Sequence, residues 1–274
     1  MRDSRGIEKK IKTSCCVLIP FYNAGHTLVE SLDSIDYGCF IPDVLVVDDG
    51  SEVKAVDVLS TYAGSLNVFI IRLSENRGIE YALNAGLEYC DGKYDYIARL
   101  DCGDKCKNNR IQTQVDYLER NPEIYLLGSW AECVDLHGGV VRILRPANSY
   151  KQIQKGMYVN NMFVHSSVMF RSCLIKEVGF YPVEFEASED FAYFFKIVKR
   201  FKSENLPSVL LEYRVDPNSI SSMKWKAQLI SRLKILKSNF YFGAYPIWGL
   251  LRSFLLLIFP RMTLFAFVRT FKSH

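Results

Sequence analysis

The stretch CCVLIPFYNAGHTLVESLDSIDYGCFIPDVLVVDDGS, residues 15–51, decides the fold. Its two ends, CCVLIP (15–20) and DVLVVDDGS (43–51), carry continuous apolar runs rather than alternating ones, the pattern of strands covered on both faces. Between them Leu28, Leu32 and Ile35 recur at helical spacing. A strand, a helix and a second strand in this order predict a right-handed crossover within a parallel sheet. The alternation continues downstream. NVFIIRL (67–73) reads as a third buried strand and YDYIARLD (94–101) as a fourth. GIEYALNAGLEYC (78–90), between them, is a helix with Ile79, Leu83 and Leu87 on one stripe. The expected class is α/β, with a Rossmann-like, mostly parallel central sheet flanked by helices.

After residue 104 the pattern changes. A helix is expected over Arg110 to Arg120, then a hairpin turning at His137-Gly138-Gly139, which extends the sheet. VHSSVMFR (164–171) reads as a further strand. SEDFAYFFKIVKRF (188–201) reads as a helix with Ser188 as N-cap and Glu189 and Asp190 in its first turn. From about Ile220 the chain turns helical and basic, with Trp225, Leu229, Leu233, Leu236 and Phe240 on one stripe. Residues 245–272 are very apolar but interrupted by Arg252, Pro260 and Arg261. A spanning helix needs about 20 apolar residues, and each central Arg costs about 2.5–3.5 kcal/mol. Amphipathic helices lying in a membrane interface fit this pattern better.

The charge distribution agrees. Of 34 basic and 30 acidic residues among 274, nine basic and no acidic ones follow Asp216, so a mildly acidic body carries a purely basic tail. A hydrophobic content of 49% is ordinary for a folded protein with a sizeable core. The eight cysteines form no zinc-spaced pairs and read as core or loop thiols of a reducing compartment. The N-terminus MRDSRGIEKKIK has no apolar core of a secretory signal.

In an open parallel sheet, ligands bind beyond the carboxyl ends of the strands. Here the first strand runs into Pro20-Phe21-Tyr22-Asn23, the second into Asp48-Asp49-Gly50-Ser51 and the fourth into Asp101. No GxGxxG follows the first strand, which argues against a dinucleotide-dependent dehydrogenase, and no GxxxxGK[ST] loop is present. Carboxylates repel phosphates, but they accept hydrogen bonds from a base or ribose, or hold a cation that bridges to the phosphates. A nucleoside diphosphate with a metal ion is therefore the expected ligand class.

Seven ordered segments make the reading specific. VLIPFYNAGHTLVESLDSI, VLVVDDGS, NRGIEYALNAGL, YIARLDCGD, VHSSVMFR, GFYPVEFEASEDFAYFFKI and LEYRVDPNSIS resemble the motifs of family 2 glycosyltransferases over residues 14–222. The resemblance implies the glycosyltransferase A-type fold and inverting transfer of a sugar from a nucleoside diphosphate. It places Asp49 at the base, commonly uracil, in a pocket with Pro20 and Tyr22. It places Asp101 at the first aspartate of the DxD motif, and Asp190 of Glu189-Asp190 as catalytic base. Inverting transfer needs one carboxylate to take the acceptor proton, so the chemistry agrees. Arg77 is a further donor-side candidate, and His165 an acceptor- or diphosphate-side one.

Two departures stand out. The family reads DxDD where this chain has Asp101-Cys102-Gly103-Asp104, and it often has a histidine where Asp216 stands. The expectation is that Asp216 restores the missing carboxylate, so that Asp101, Asp216 and Asp104 hold Mn²⁺ or Mg²⁺. Gly103 could instead let the backbone approach the diphosphate. A transferase domain is expected over 1–219, with a nucleotide-binding half at 14–104 and an acceptor half at 105–219, followed by a membrane-association tail at 220–274. The expected partners are a nucleotide-sugar donor (UDP-hexose or UDP-N-acetylhexosamine), a polyprenyl-diphosphate-linked sugar acceptor of O-antigen or capsule synthesis, and an anionic membrane surface, with no nucleic acid. The expected place is the cytoplasmic face of the inner membrane. A non-catalytic nucleotide-binding homologue and a nucleotidyltransferase are the alternatives.

Overall fold

The structure, a computed structural model, describes residues 13–258 apart from 37, 39, 40, 61 and 217–223. Arg261, Pro260 and the end of the LEYRVDPNSIS motif thus lie outside the described residues.

The first half follows the expected alternation. Strands β1 (Cys15–Phe21), β2 (Asp43–Asp48), β3 (Asn67–Arg72) and β4 (Tyr96–Arg99) pair in parallel, in the order β3-β2-β1-β4. Helices α1 (Thr27–Asp33), α2 (Ala55–Leu59) and α3 (Ile79–Cys90) connect them. Because side chains alternate along a strand, Cys16 and Leu18 join one core cluster and Val17 and Ile19 the other, so β1 is buried on both faces. β3 departs from expectation. It forms the outer edge of the sheet, and Phe69 and Ile70 are 41% and 37% exposed, because no further strand covers it.

The sheet then continues as β4-β8-β6-β9-β5. Here β5 is Lys105–Cys106, β6 Ile124–Val134, β8 Met169–Arg171 and β9 Lys202–Arg214, and α4 (Arg110–Arg120) and the β6–β7 hairpin (β7, Val140–Leu144) fall where expected. Helices α5 (Tyr150–Gly156), α6 (Leu174–Val178) and α7 (Glu189–Arg200) complete this half. The strand expected over 164–171 is only three residues long. A 3₁₀ turn at His165–Ser167 precedes it, since Ser167 Oγ donates to Val164 O and offers the backbone a local alternative to pairing.

Helix α7 buries Phe191, Tyr193, Phe194 and Phe195, and Tyr193 stacks on Tyr181 at 4.2 Å. Ser188 holds the N-cap position without capping: its hydroxyl donates to Gln228 O (3.2 Å) in α8 (Trp225–Ser238). Of the expected stripe on α8, Leu236 is buried, together with Ile235, in the core beneath α7. The tail is therefore anchored on the protein at this helix. The following α9 (Ala244–Ile258) is largely exposed on its apolar side, at Ile247, Trp248, Leu251 and Phe254. No helix among the described residues is long and apolar enough to cross a membrane.

Asp48, at the end of β2, ties the loop after it to the sheet. Its buried carboxylate accepts the N–H groups of Ser51 (2.9 Å) and Ala55 (3.0 Å) and pairs with Arg72 at 2.5 Å. Burial pushes its pKa up, but these hydrogen bonds prevail and hold it below the ordinary 3.8. A carboxylate with a depressed folded-state pKa contributes stability above its unfolded value, and loses it as pH falls through the folded one. Asp48→Ala should therefore cost about 2–4 kcal/mol at pH 7, by analogy with other buried charge networks. The difference from wild type should shrink below pH 4, as read by urea denaturation.

Candidate active site

The chain order of the strands places the site. From β1 the connections run outward to β2 and β3, and the chain then returns to the other side of β1 as β4. The crevice between the ends of β1 and β4 is thus a topological switch point, where open sheets bind their ligands. Pro20 and Tyr22 lie at one lip, with Tyr22 51% exposed, and Asp101 at the other; Cys102 Sγ, 3.4 Å from Pro20 O, ties the two together. Asp49 is buried beside them. Its two carboxylate oxygens accept the backbone N–H groups of Arg77 and Gly78, each at 2.9 Å, which fixes the turn into α3. Burial raises its pKa, against the pull of those two donors. Arg77 reaches Asp49 by its backbone alone, because its guanidinium lies over the Tyr81 ring at 4.1 Å.

The centre of the site is a residue sequence reasoning passed over. Arg99 is fully buried, and its guanidinium donates to Leu18 O (3.0 Å), Leu100 O (3.3 Å), His165 Nε2 (3.2 Å) and Asp101 Oδ1 (2.5 Å). A charge inside the apolar run YIARL was the available signal, because a buried cation needs a partner. Arg99 sets the state of its neighbours. Burial and then its positive charge push the His165 pKa down to about 3, so that ring is neutral and accepts at Nε2. Burial alone would raise the Asp101 pKa, but the Arg99 charge prevails and lowers it.

Asp101 opens a turn closed by Asp104 N–H to Asp101 O (3.1 Å), with Gly103 in third position at φ +93°. Such a turn demands a positive φ there, which glycine supplies. Gly103 N–H donates to Ser31 Oγ at 2.9 Å, pinning the turn to α1. Asp104 is buried and accepts the Arg214 N–H (2.9 Å), and burial, then the charge of Asp101, pushes its pKa up to about 8.

The expected three-carboxylate metal site is therefore not assembled. Asp101, Asp104 and Asp216 are all described, yet no three His, Cys, Asp or Glu side chains among the described residues form a group able to hold an ion. The reason is that Asp104 is turned inward to brace β9. Asp101 does suit a cation that arrives with its ligand. One of its oxygens is taken by Arg99, it remains 31% exposed, and it lines the crevice. Mg²⁺-type ions are commonly held by one or two carboxylates with substrate phosphates completing the shell.

From Asp101 a cavity of about 690 Å³ runs across the second half of the sheet, past His165, Tyr213 and Asn161 to Glu189 and Asp190. Asp190 accepts from Phe191 N–H (2.6 Å) and from Asn161 Nδ2 (2.9 Å), a second residue that sequence reasoning did not single out. Burial pushes the Asp190 pKa up to about 6 despite the Phe191 hydrogen bond. Glu189 is pushed up to about 8, by burial and by the charge on Asp190. Burial thus raises both carboxyl groups, and each disfavours a second negative charge beside it. A carboxylate with a pKa near 6 is well matched to general-base work. Arg142 and Arg145, from the β7 side, line the same cavity.

Comparison with known proteins identifies the family and the fold. The model of the family described as Glycosyl transferase family 2 matches residues 16–179. The chain belongs to that family. It is 30% identical over 213 residues to the amylovoran biosynthesis glycosyltransferase AmsE of Erwinia amylovora, across 76% of this chain and 79% of the relative. It is 28% identical over 221 residues to the UDP-Gal:alpha-D-GlcNAc-diphosphoundecaprenol beta-1,3-galactosyltransferase of Escherichia coli, across 80% and 79%. Among solved structures, residues 1–349 of S. aureus TarS in complex with UDP-GlcNAc share its fold, with a TM-score of 0.65 at 16% identity over 88% of this chain and 72% of that one. The mannosyltransferase PcManGT of Pyrobaculum calidifontis, in complex with GDP-Man and Mn²⁺, does so with 0.63 at 18% over 89% and 69%. The glycosyltransferase A-type fold expected from the motifs is thus the one this family 2 enzyme adopts.

Because the turn at Gly103 sets the backbone, a carboxylate cannot be restored there without strain. Gly103→Asp should lower stability by about 1–3 kcal/mol, the usual cost of a side chain at such a φ. Thermal unfolding should show the loss, while the Mn²⁺ dependence of UDP binding stays as in wild type.

Proposed function

We propose that this glycosyltransferase transfers a hexosyl or N-acetylhexosaminyl group, with inversion, from a UDP-sugar to a hydroxyl of a lipid-linked saccharide during bacterial surface-polysaccharide synthesis. The observation that carries the reading is Asp190, held by Asn161 and the Phe191 N–H, in the same cavity as Asp101 at the switch point. In this reading the base stacks near Tyr22 and Pro20, within reach of Asp49, and the diphosphate lies against Asp101. Asp190 takes the proton of the acceptor hydroxyl as its oxygen attacks the anomeric carbon. The bond to the diphosphate breaks on the opposite face, and the nucleoside diphosphate leaves. Asn161 and the Phe191 N–H hold the Asp190 carboxylate in position, and burial of Glu189 disfavours a second negative charge beside it. A divalent cation bound by Asp101 and the diphosphate would stabilise the charge of the leaving group. The relatives that act on diphosphoundecaprenol-linked sugar or in amylovoran biosynthesis support the acceptor class.

The apolar side of α9 supports a place at the membrane surface. Phe242, 94% exposed, lies just before it, and Lys151, Lys155 and Lys199 surround Tyr241 in a neighbouring cavity. Aromatic rings and lysines together suit the headgroup region of an anionic bilayer.

The decisive assay is turnover of a UDP-sugar panel with a polyprenyl-diphosphate-linked acceptor, read as UDP release. Asp190→Asn should lower kcat by about 10²–10⁴-fold with UDP affinity retained. In wild type, kcat/KM should fall about tenfold per pH unit below pH 6, since the protonated base is inactive. Full activity in Asp190→Asn would remove this assignment. By calorimetry Mn²⁺ alone should give no binding heat, whereas UDP should bind more tightly with Mn²⁺ present. Asp101→Ala should abolish that difference.

A further inference from the structure

Arg232 of α8 and Arg252 of α9 converge on one carbonyl. Arg232 donates through Nη1 to Asn160 Oδ1 (2.9 Å) and through Nη2 to Val159 O, and Arg252 Nη1 donates to the same Val159 O at 3.2 Å. Arg232 Nε is buried with no hydrogen-bond partner among the described residues. The Arg232 guanidinium also lies 5.5 Å from the centre of the Phe191 ring, the residue after the proposed base. Asn160, which it holds, and Gln228, one turn earlier on α8, line the cavity that contains Asp190.

The charge at this spot is unbalanced. Every ion pair among the described residues lies elsewhere, and no acidic residue follows Asp216 in the sequence. Burial, and then the neighbouring Arg252, lowers the Arg232 pKa to about 10, yet the group stays protonated at any physiological pH. Two guanidinium groups side by side, removed from much of their hydration and facing only carbonyls and the Phe191 ring, with no anion among them, gain where an anion joins them. The planar fork of arginine matches phosphate oxygens two at a time. In the function proposed above the donor diphosphate lies at the β1–β4 crevice, which leaves this pair for a different phosphate.

We propose that Arg232 and Arg252 clamp the diphosphate of the lipid-linked acceptor, between the exposed apolar side of α9 and the catalytic cavity. The inference rests on the acceptor class assigned above. The placement is coherent with transfer: a sugar whose anomeric carbon carries the diphosphate spans from the clamp to Asp190 with its own ring, while its lipid leaves along α9.

The test uses the full chain in detergent micelles, with UDP saturating the donor site, and titrates farnesyl diphosphate by calorimetry. UDP binding is read first. Its absence would count against the donor assignment, and the clamp would still be read from the same titration without UDP. The expected result is that farnesyl diphosphate binds, that farnesol does not, and that Arg232→Gln and Arg252→Gln each weaken binding by about tenfold or more, as loss of a charge-assisted contact does. Arg232 also supports the Val159 backbone, so Arg252→Lys is the variant that separates clamp from fold. It keeps the charge but loses the fork, and should weaken farnesyl diphosphate while UDP affinity and the melting temperature hold. Unchanged farnesyl diphosphate affinity in both Arg252 variants would overturn the proposal. Inorganic pyrophosphate binding as tightly as the farnesyl form, with the same arginine dependence, would overturn the lipid assignment in favour of a free anion.

Discussion

The fully buried guanidinium of Arg99 is the constraint around which the site is built. An arginine cannot shed its charge in a protein interior, so every donor it presents must be met. The carbonyls of Leu18 and Leu100, the ring of His165 and the carboxylate of Asp101 meet them. These partners come from β1, from the end of β4 and from the 3₁₀ turn before β8, so one side chain fixes the spacing of three segments that meet at the crevice. A second buried arginine continues the network: Arg110 Nη2 donates to Arg99 O (2.8 Å) and to Val168 O (3.2 Å), and its Nε to Gln114 Oε1 (2.9 Å). Asp101, at the lip of the crevice, is thus held from behind by a network that reaches α4.

Electrostatics divides the carboxyl groups into distinct roles. Asp48 is kept ionised by backbone donors and Arg72, Asp101 by Arg99, and Asp190 is poised near neutrality by burial. Glu189 and Asp104 are driven toward the neutral acid, each by burial and a charged neighbour. Residues of one chemical type are therefore set in different states by what surrounds them, which suits the proposed division into brace, ligand and base.

Most of the fold was legible because strands and helices of the first hundred residues differ in period. Residues 17–19 and 44–47 leave little choice, α3 falls where its stripe predicts, and α4 spans Arg110–Arg120 as expected. The strand ends were legible as a candidate site because carboxylates recur at them. What escaped depends on contacts between residues far apart in sequence. Nothing near residue 164 tells that serine hydroxyls will bend VHSSVMFR into a 3₁₀ turn. The long strand β9 interleaves polar and apolar residues around Pro207 and gains its definition from pairing with β6. The orientation of Asp104 escaped for a similar reason. Asp104 is three residues from Asp101 in sequence, but its carboxylate accepts the N–H of Arg214, more than a hundred residues on.

The β7 strand has a consequence for how enzymes of this kind diversify. It pairs with β6 alone, outside the main path of the sheet, and Val140 and Val141 on it are exposed. Yet Arg142 on this strand and Arg145 just beyond it reach the cavity wall. Substitutions there alter what the cavity touches while removing few core contacts, so they carry little of the stability cost that constrains change in β1 or α7.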